Sequence, residues 1–424
     1  MGSALRVAWE RHTLGNGLRI VLSPDPSTAV VSVNLWYGVG SRNERPGRTG
    51  FAHLFEHMMF QGSEHVPKNR HFELVERAGG SLNASTWFDR TNYYETLPSH
   101  QLELALWLES DRMGWMLPAL TQEKLDNQRE VVKNEKRQRY DNQPYGDWSE
   151  RLQALVYPPD HPYHHTVIGS MEDLDASTLE DVADFFRTYY VPNNAVLTVA
   201  GDFVPERALE AVERWFGDIP RRAPVPALPG NPALPSRIGE TVREHVRAEV
   251  PLPRVIVACR VPPFTDETFD AVEVTGALLG TGRASRLYRS LVRERRVAKD
   301  VVTYVFPVVT GAAMLLVWAT GYPGVRPELL EDALTAELER LASATAEEVS
   351  RAVAVTDTRF VRMLEEVSER ADLLSMFTLL CDDPERLNQE MDRIRAVTAA
   401  DVRAVAERWL GPDNRAVLVY EPAS

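Results

Sequence analysis

The chain has only two cysteines in 424 residues, Cys259 and Cys381, which is too few for a disulfide framework. It also lacks an apolar run of the roughly 18 residues that a membrane-spanning helix needs. The longest run, Ala312 to Ala319, has the length of a buried strand. The first residues, MGSALRVAWERH, lack the apolar stretch of an export signal. We therefore expect a cytoplasmic protein that does not span a membrane.

Positive charge is also scarce, since 47 basic residues face 61 acidic ones and give a formal net charge of −14. A chain of this charge is repelled by the phosphates of nucleic acids and anionic membranes, so we expect neither as a partner. The composition, 44% hydrophobic and 25% charged, excludes a disordered protein and is sufficient for large cores.

Residues 220–235 contain six prolines in the stretch PRRAPVPALPGNPALP. Each proline removes a backbone donor and drives the preceding residue toward extended conformations, which excludes a helix or a central strand. We interpret 220–239 as a linker between an N-terminal domain, 1–219, and a C-terminal domain, 240–424.

The two predicted domains share a pattern in segments 177–199 and 397–419. Both segments have the pattern of a helix, a Pro-Asn turn and an apolar strand, which favours a duplicated domain. Unrelated segments with the same order of elements are the alternative. The shared residues are Thr178, Asp181, Val182, Pro192, Asn194 and Val199, which recur 220 positions later as Thr398, Asp401, Val402, Pro412, Asn414 and Val419.

Strands and long helices are intermixed without a strict βαβ rhythm, and no glycine-rich phosphate loop is present. This order predicts α+β domains in which a sheet is layered against helices. In the first half the pattern predicts strands at Leu18–Leu22 and Val30–Tyr37, a hairpin at Ser81–Thr96, and helices that begin at Phe51, Lys68 and Gln101.

Residues 51–60, FAHLFEHMMF, are apolar except for His53, Glu56 and His57. On a helix these three side chains share an arc of about 100°. A carboxylate on an apolar helix is costly without a cation or hydrogen-bond partner, and two imidazoles four residues apart can bind one Zn²⁺. The order HxxEH inverts the common zinc motif HExxH. We predict His53 and His57 as zinc ligands; core histidines bonded to carbonyl groups, with a salt-bridged glutamate, are the alternative.

Catalytic zinc usually keeps three protein ligands and one open position, so a third ligand is required. On the predicted helix LDNQREVVKNEKR, Glu135 falls within the apolar stripe, with Val131 and Val132 beside it. Glu130 falls on the opposite side, among basic residues. Helical periodicity therefore selects Glu135 as the third ligand.

With these residues the sequence resembles, over nearly its whole length, the pitrilysin and insulinase-like zinc metallopeptidases, in particular the half-length branch that includes mitochondrial processing peptidase. The resemblance implies two homologous α/β-sandwich domains of the LuxS/MPP-like metallopeptidase fold. In that family a glutamate ligand ends a segment like ExxVVxEE; here residues 128–135 are QREVVKNE, which again gives Glu135. Gln128 stands where the family often has a supporting glutamate, so we expect its tuning of the ligands from outside the coordination sphere to be weaker or different.

The stretches GGSLNAST, 79–86, and YYVPNNAVLTVAGD, 189–202, are also typical of the family. In these proteins the strand with the Asn-Ala pair lies at a sheet edge, and substrate binds along it as an added strand. The resemblance therefore implies substrate binding by Asn83, Ala84 and Ser85. Ordinary hairpin residues are the alternative.

Family members that complete their own site carry an arginine followed seven residues later by a tyrosine, which hold the substrate and the oxyanion. Here residues 291–300 are LVRERRVAKD, so Arg293 matches while Asp300 replaces the tyrosine. An ionised aspartate would repel a developing oxyanion. We therefore expect a heterodimer with a homologous subunit that carries the pair, although a homodimer is possible; Arg293 stays a predicted substrate-binding residue.

Together these residues predict a zinc endopeptidase with one Zn²⁺ per chain, in which Glu56 takes a proton from the attacking water. It would hydrolyse peptides or unfolded segments in a chamber formed by dimerisation. The alternatives are a non-catalytic assembly subunit and a peptide-binding protein with a structural zinc.

Overall fold

The computed structural model describes residues 6–423. They form two compact units, each assembled from three separate stretches of chain. The first unit contains 6–136, 166–229 and 362–389, and the second contains 137–165, 230–361 and 390–423. The boundary at 229–230 lies inside the predicted linker, 220–239. Each unit also contains a segment from the other half of the chain, so the units are not the continuous stretches 1–219 and 240–424.

The described residues form eleven strands. They are four to nine residues long, which is the usual length of strands in globular proteins. Their bounds are β1 Glu10–Thr13, β2 Arg19–Pro24, β3 Val30–Tyr37, β4 Ser81–Thr86, β5 Thr91–Pro98, β6 Ala195–Gly201, β7 Thr241–Ala248, β8 Arg254–Val261, β9 Ala298–Phe306, β10 Ala313–Gly321 and β11 Arg415–Pro422.

The described residues also form fourteen α-helices. None of these helices is both long enough and apolar enough to cross a membrane. Their bounds are α1 Phe51–Met58, α2 Arg70–Arg77, α3 Leu102–Trp115, α4 Gln122–Lys136, α5 Trp148–Val156, α6 Met171–Asp175, α7 Leu179–Tyr189, α8 Pro205–Phe216, α9 Phe269–Gly280, α10 Pro327–Arg340, α11 Ala346–Glu365, α12 Val367–Cys381, α13 Arg386–Ala396 and α14 Ala399–Trp409.

Each unit is built on one mixed sheet. The strand order is β1-β2-β6-β3-β5-β4 in the first unit and β7-β11-β8-β10-β9 in the second. The parallel pair β2 and β6 corresponds to the parallel pair β7 and β11, and the other neighbours in both sheets are antiparallel. This common topology is what the repeated segments predict. The expected α+β architecture of sheets layered with helices is confirmed.

In each unit, one helix from the other half of the chain packs on the sheet. In the first unit α12 lies against β3 and β6, where Ala371 packs on Ala200 and the Ser375 hydroxyl donates to the Thr198 hydroxyl at 2.7 Å. In the second unit α5 lies against β8 and β11, and the ring of Trp148 is 5.5 Å from that of Trp318. These helices bury sheet surface that a continuous domain would leave open, which explains why the units are discontinuous.

Candidate metal centre

A buried carboxylate fixes the first turn of α1. Glu44 accepts hydrogen bonds from the backbone N–H groups of Gly50, at 2.9 Å, and Ala52, at 2.7 Å. The carboxylate satisfies donors that have no partner within the helix and interacts favourably with the helix dipole. Gly50 has a φ of 85°, and a Cβ there would lie 2.6 Å from the carbonyl oxygen of Ile168. Sequence and contacts therefore both determine where α1 begins.

The apolar residues of α1 set the direction of its polar ones. Phe55 packs on the ring of Tyr190, with centroids 4.2 Å apart, and on the ring of Phe186. Because this face is fixed in the core, His53 and His57 point away from it, with 13% and 23% of their side chains exposed. The buried apolar residues of the helix are Phe51, Ala52, Leu54, Phe55 and Met58.

Helix α4 brings a carboxylate to the two histidines. Leu125 and Val132 are fully buried, and the Glu135 side chain is 18% exposed. The Glu130 side chain, by contrast, is 59% exposed. The orientation expected of both glutamates is therefore found. Val131 is 40% exposed, so its placement in the apolar stripe was wrong, because the buried face of α4 is narrower than the periodicity suggested.

One donor atom from each of His53, His57 and Glu135 lies within 4.8 Å of the others. Oε2 of Glu135 is 3.4 Å from Nε2 of His57 and 3.8 Å from Nε2 of His53. Donors bound to a tetrahedral zinc ion at roughly 2.0–2.1 Å lie about 3.3 Å apart. The two imidazoles and one carboxylate thus fit a zinc ion in spacing and in chemistry, with little rearrangement.

Glu56 lies on α1 beside this cluster. Burial raises the pKa of its carboxyl group above the usual value, while a hydrogen bond from Thr86 and the charges of His57 and Arg90 oppose that rise. The hydroxyl Oγ1 of Thr86 donates to Oε2 of Glu56. The arrangement places a carboxylate that can accept a proton next to the three donor atoms of His53, His57 and Glu135.

Strand β4 forms a free edge of the first sheet, as predicted for Asn83, Ala84 and Ser85. It pairs on one side with β5, with Ala84 opposite Tyr93. The N–H group of Ala84 donates to the side-chain oxygen of Asn83 at 2.9 Å rather than to β5. In an antiparallel pair, successive residues direct their backbone groups to alternate sides, so those of Ala84 face the open edge. This edge therefore presents backbone groups of the kind that pair with an added strand.

Comparison with known proteins identifies the family. Residues 19–158 match the model of insulinase, peptidase family M16, and residues 176–355 match that of the peptidase M16 inactive domain. The zinc protease PqqE of Helicobacter pylori is 30% identical over 420 residues, which are 97% of this chain and 93% of that protein. The chain belongs to the insulinase family, peptidase family M16.

Other relatives support this assignment. The crystal structure of a protease from Helicobacter pylori superposes with a TM-score of 0.92 at 30% identity, covering 98% of this chain and 100% of that one. A probable mitochondrial-processing peptidase subunit beta of Arabidopsis thaliana is 27% identical over 271 residues, which are 63% of this chain and 50% of that protein. The resemblance found in the sequence is confirmed.

Of two further predicted residues, one lies on α4 and the other in the second unit. Gln128 is buried on α4, and its amide group donates to Oδ1 of Asn127 at 3.0 Å. Arg293 is exposed in the second unit, within the π-helical segment Tyr288–Glu294. Asp300, at the position of the tyrosine of insulinase-family members with a complete site, accepts a hydrogen bond from Thr320 at 2.9 Å. The roles of Gln128 and Arg293 toward the metal and the substrate stay predictions.

The sequence reasoning missed Thr86 and Arg90, which support the site in this insulinase-family protein. Arg90 follows β4, and its Nη1 donates to the carbonyl oxygen of Ser85 at 2.8 Å and to the Ser85 hydroxyl at 2.6 Å. Burial lowers the pKa of Arg90, and the charges of Asp372 and Glu56 oppose this change. The predicted hairpin could have indicated Thr86, because the side chains of residues 82, 84 and 86 lie on the same face of a strand.

Proposed function

We propose that the chain is a zinc-dependent endopeptidase that hydrolyses peptides or unfolded segments. The observation that carries this proposal is the convergence of His53, His57 and Glu135, with the Glu56 carboxylate beside them. The relatives from Helicobacter pylori and Streptomyces coelicolor are both named zinc proteases, which favours zinc as the ion. Ligand chemistry alone does not distinguish zinc from other divalent ions that bind imidazole.

In this proposal His53, His57 and Glu135 hold one zinc ion. When bound in such a donor set, zinc polarises a carbonyl group and lowers the pKa of water. Glu56 accepts the proton of the attacking water and then delivers it to the leaving amine. A carboxylate can perform both transfers because it faces the same reacting atoms throughout.

Extended substrate would bind along the open edge of β4. Its backbone would pair with the outward groups of Ala84, and the amide side chain of Asn83 would exchange its present bond to the Ala84 N–H for one to the substrate. Recognition through the backbone needs an unfolded segment, because a folded protein has few free strand edges to offer.

We also propose that the active assembly is a dimer with an enclosed chamber. Because Asp300 replaces the tyrosine of the oxyanion-binding pair, we favour a heterodimer in which a homologue supplies the pair. The name of the Arabidopsis thaliana relative, a subunit beta, is in keeping with this assembly. A homodimer is the alternative, and native mass spectrometry of the protein isolated from its source distinguishes the two.

Hydrolysis of an unstructured fluorogenic peptide tests the proposed activity. We expect wild type to cleave it when loaded with zinc, a chelator to abolish cleavage, and Glu56→Gln to lower kcat by about 10²- to 10⁴-fold with zinc content unchanged. Glu64→Gln, at an exposed position on the following loop, is the matched control and should behave as wild type. A wild type that binds the peptide but never cleaves it would instead favour the peptide-binding alternative. A wild type that binds neither zinc nor the peptide would favour the assembly subunit.

A further inference from the structure

The last residue of β4 contacts the Glu56 carboxylate from the strand that borders the open edge. Oγ1 of Thr86 donates to Oε2 of Glu56, and within residues 6–423 this hydroxyl forms no hydrogen bond with β5. A hydrogen bond to an ionised carboxylate is stronger than one between neutral groups. It occupies one oxygen of the carboxylate and leaves the other oxygen for a proton.

The backbone of Thr86 faces the same edge as that of Ala84. Thr86 lies opposite Thr91, two residues beyond Ala84 in β4. The next residue, Trp87, donates its backbone N–H toward the β5 side, to the carbonyl oxygen of Arg90 at 2.9 Å. Since backbone groups alternate between the two sides of a strand, residues 84 and 86 both direct theirs to the open edge. Thr86 thus presents its backbone to an added strand and its side chain to Glu56.

We propose that Thr86 is a positioning residue that fixes the Glu56 carboxylate relative to a peptide bound along β4. This inference rests on the proposed peptidase function. The β-branched side chain of threonine restricts its first torsion angle, so the position of the hydroxyl follows that of the strand backbone. The register of the bound peptide and the position of the proton acceptor are then set by one residue.

Three substitutions test this role. Thr86→Val keeps the shape of the side chain and removes the donor, Thr86→Ser keeps the donor, and Thr96→Val removes a half-buried hydroxyl of β5 that donates to Ser32 at 3.3 Å. We expect Thr86→Val to lower kcat about tenfold or more with KM within about twofold of wild type. Thr86→Ser should restore most of kcat, and Thr96→Val should match wild type.

Measurements without turnover separate positioning from a structural role. Zinc affinity, measured by competition with a chelating dye, and binding of a labelled peptide to the zinc-free protein should be unchanged in Thr86→Val. A crystal structure of that variant should show the Glu56 carboxylate rotated or in several positions. Unchanged kcat, an unmoved carboxylate, or loss of kcat in Thr86→Ser equal to that in Thr86→Val would each overturn the inference.

The failure of this inference differs from that of the proposed function. If wild type and Thr96→Val both lack hydrolysis that depends on Glu56, the peptidase proposal fails and the positioning role is overturned with it. If wild type is active and Thr86→Val equals it, only the positioning role fails. Loss of zinc in Thr86→Val would assign the residue to the structure of the site instead.

Discussion

The two units have the same sheet topology and very different helices at the same place in it. In the first unit α1 follows β3 and precedes β4, and in the second unit α9 follows β8 and precedes β9. Helix α1 has the sequence FAHLFEHM, with two imidazoles and a carboxylate on one side. Helix α9 has the sequence FDAVEVTGALLG, which contains carboxylates but no imidazole. The shared fold therefore does not determine the cluster of His53, His57 and Glu135; the side chains that α1 and α4 carry do.

The second unit has an acidic cluster of its own. Asp270, Glu273 and Glu390 each bring one oxygen within 4.8 Å of the others, and Asp270 forms an ion pair with Arg393 at 2.7 Å. A buried carboxylate needs a cation or hydrogen bonds, and here an arginine supplies the charge. In the first unit the corresponding helix contributes two imidazoles, His53 and His57, which lie against the carboxylate of Glu135 on α4. Imidazole is a common ligand of zinc.

Replacing one carboxylate in each cluster is the most direct test of this difference between the two units. We expect Glu135→Gln to cause the largest effect, loss of bound zinc and a fall in peptide hydrolysis of at least about 10²-fold, because the third ligand loses its charge. Glu273→Gln in the second unit should leave the zinc content unchanged. Metal analysis by mass spectrometry and the fluorogenic peptide assay measure both quantities.

Glu130→Gln is the matched control on the same helix, since its side chain is exposed and forms an ion pair with Lys133. It should retain zinc and activity. Loss of zinc in Glu273→Gln, or full zinc retention in Glu135→Gln, would contradict the assignment of the metal to the first unit.

Helical periodicity was sufficient to select from the sequence the three side chains of the candidate metal centre, which the structure brings together. His53, Glu56 and His57 were visible because they interrupt an apolar helix, and Glu135 because it interrupts an apolar stripe. Strand β3 has the predicted bounds, and α2 and α3 begin within two residues of the predicted positions. These features depend on neighbours a few residues apart, which a single sequence records.

Contacts between distant segments could not be predicted in the same way. The packing of α12 on the first sheet joins residues near 370 to residues near 200, and no periodicity indicates that pairing. The bond from Thr86 to Glu56 depends on how β4 lies against α1, although the alternation of the strand restricts which residues can make it. Sequence patterns thus predict which face of a helix or strand is buried, but they do not predict which element packs against that face.

The free edges of the two sheets offer a second comparison. We expect Ala84→Pro in β4 to weaken binding of a labelled peptide and to raise KM about tenfold, because proline removes the outward N–H and blocks the approach of an added strand. Proline is tolerated at an edge strand, so the fold should persist. Tyr304 lies on β9 at the edge of the second sheet and is 45% exposed, and Tyr304→Ala should leave both quantities unchanged.

Glu10→Pro serves as a control at the opposite edge of the first sheet, since Glu10 is the first residue of β1. It should bind peptide as wild type does. Equal weakening by Ala84→Pro and Tyr304→Ala would remove the functional distinction between the two edges.

The first unit also contains a buried titratable cluster near β5. Nε2 of His71 and Oε1 of Glu95 are 2.7 Å apart, and the guanidinium group of Arg112 donates to Oε1 of Glu109. Burial raises the pKa of Glu95 and of Glu109 from 4.5 to about 7, and it lowers the pKa of His71 from 6.5 to about 3. The carboxyl groups and the imidazole therefore favour their neutral forms in the folded unit.

These pKa shifts predict opposite effects of pH on stability. Each carboxyl group contributes to the free energy of unfolding in full below pH 4.5, and this contribution is lost as pH rises through about 7. The contribution of His71 is complete above pH 6.5 and is lost as pH falls through about 3. With two carboxyl groups against one imidazole, hydrogen-exchange protection of β5 should fall between pH 5 and 7.5. Glu95→Gln should make that fall shallower, while the exposed Glu103→Gln should not, and the protection of β10 in the second unit should be the same in both variants. Only groups that titrate differently in the folded and unfolded chain make stability depend on pH. A rise in β5 protection over this range, or an unchanged slope in Glu95→Gln, would therefore contradict the prediction. Either result would show that the buried carboxyl groups are ionised in the folded unit at pH 5.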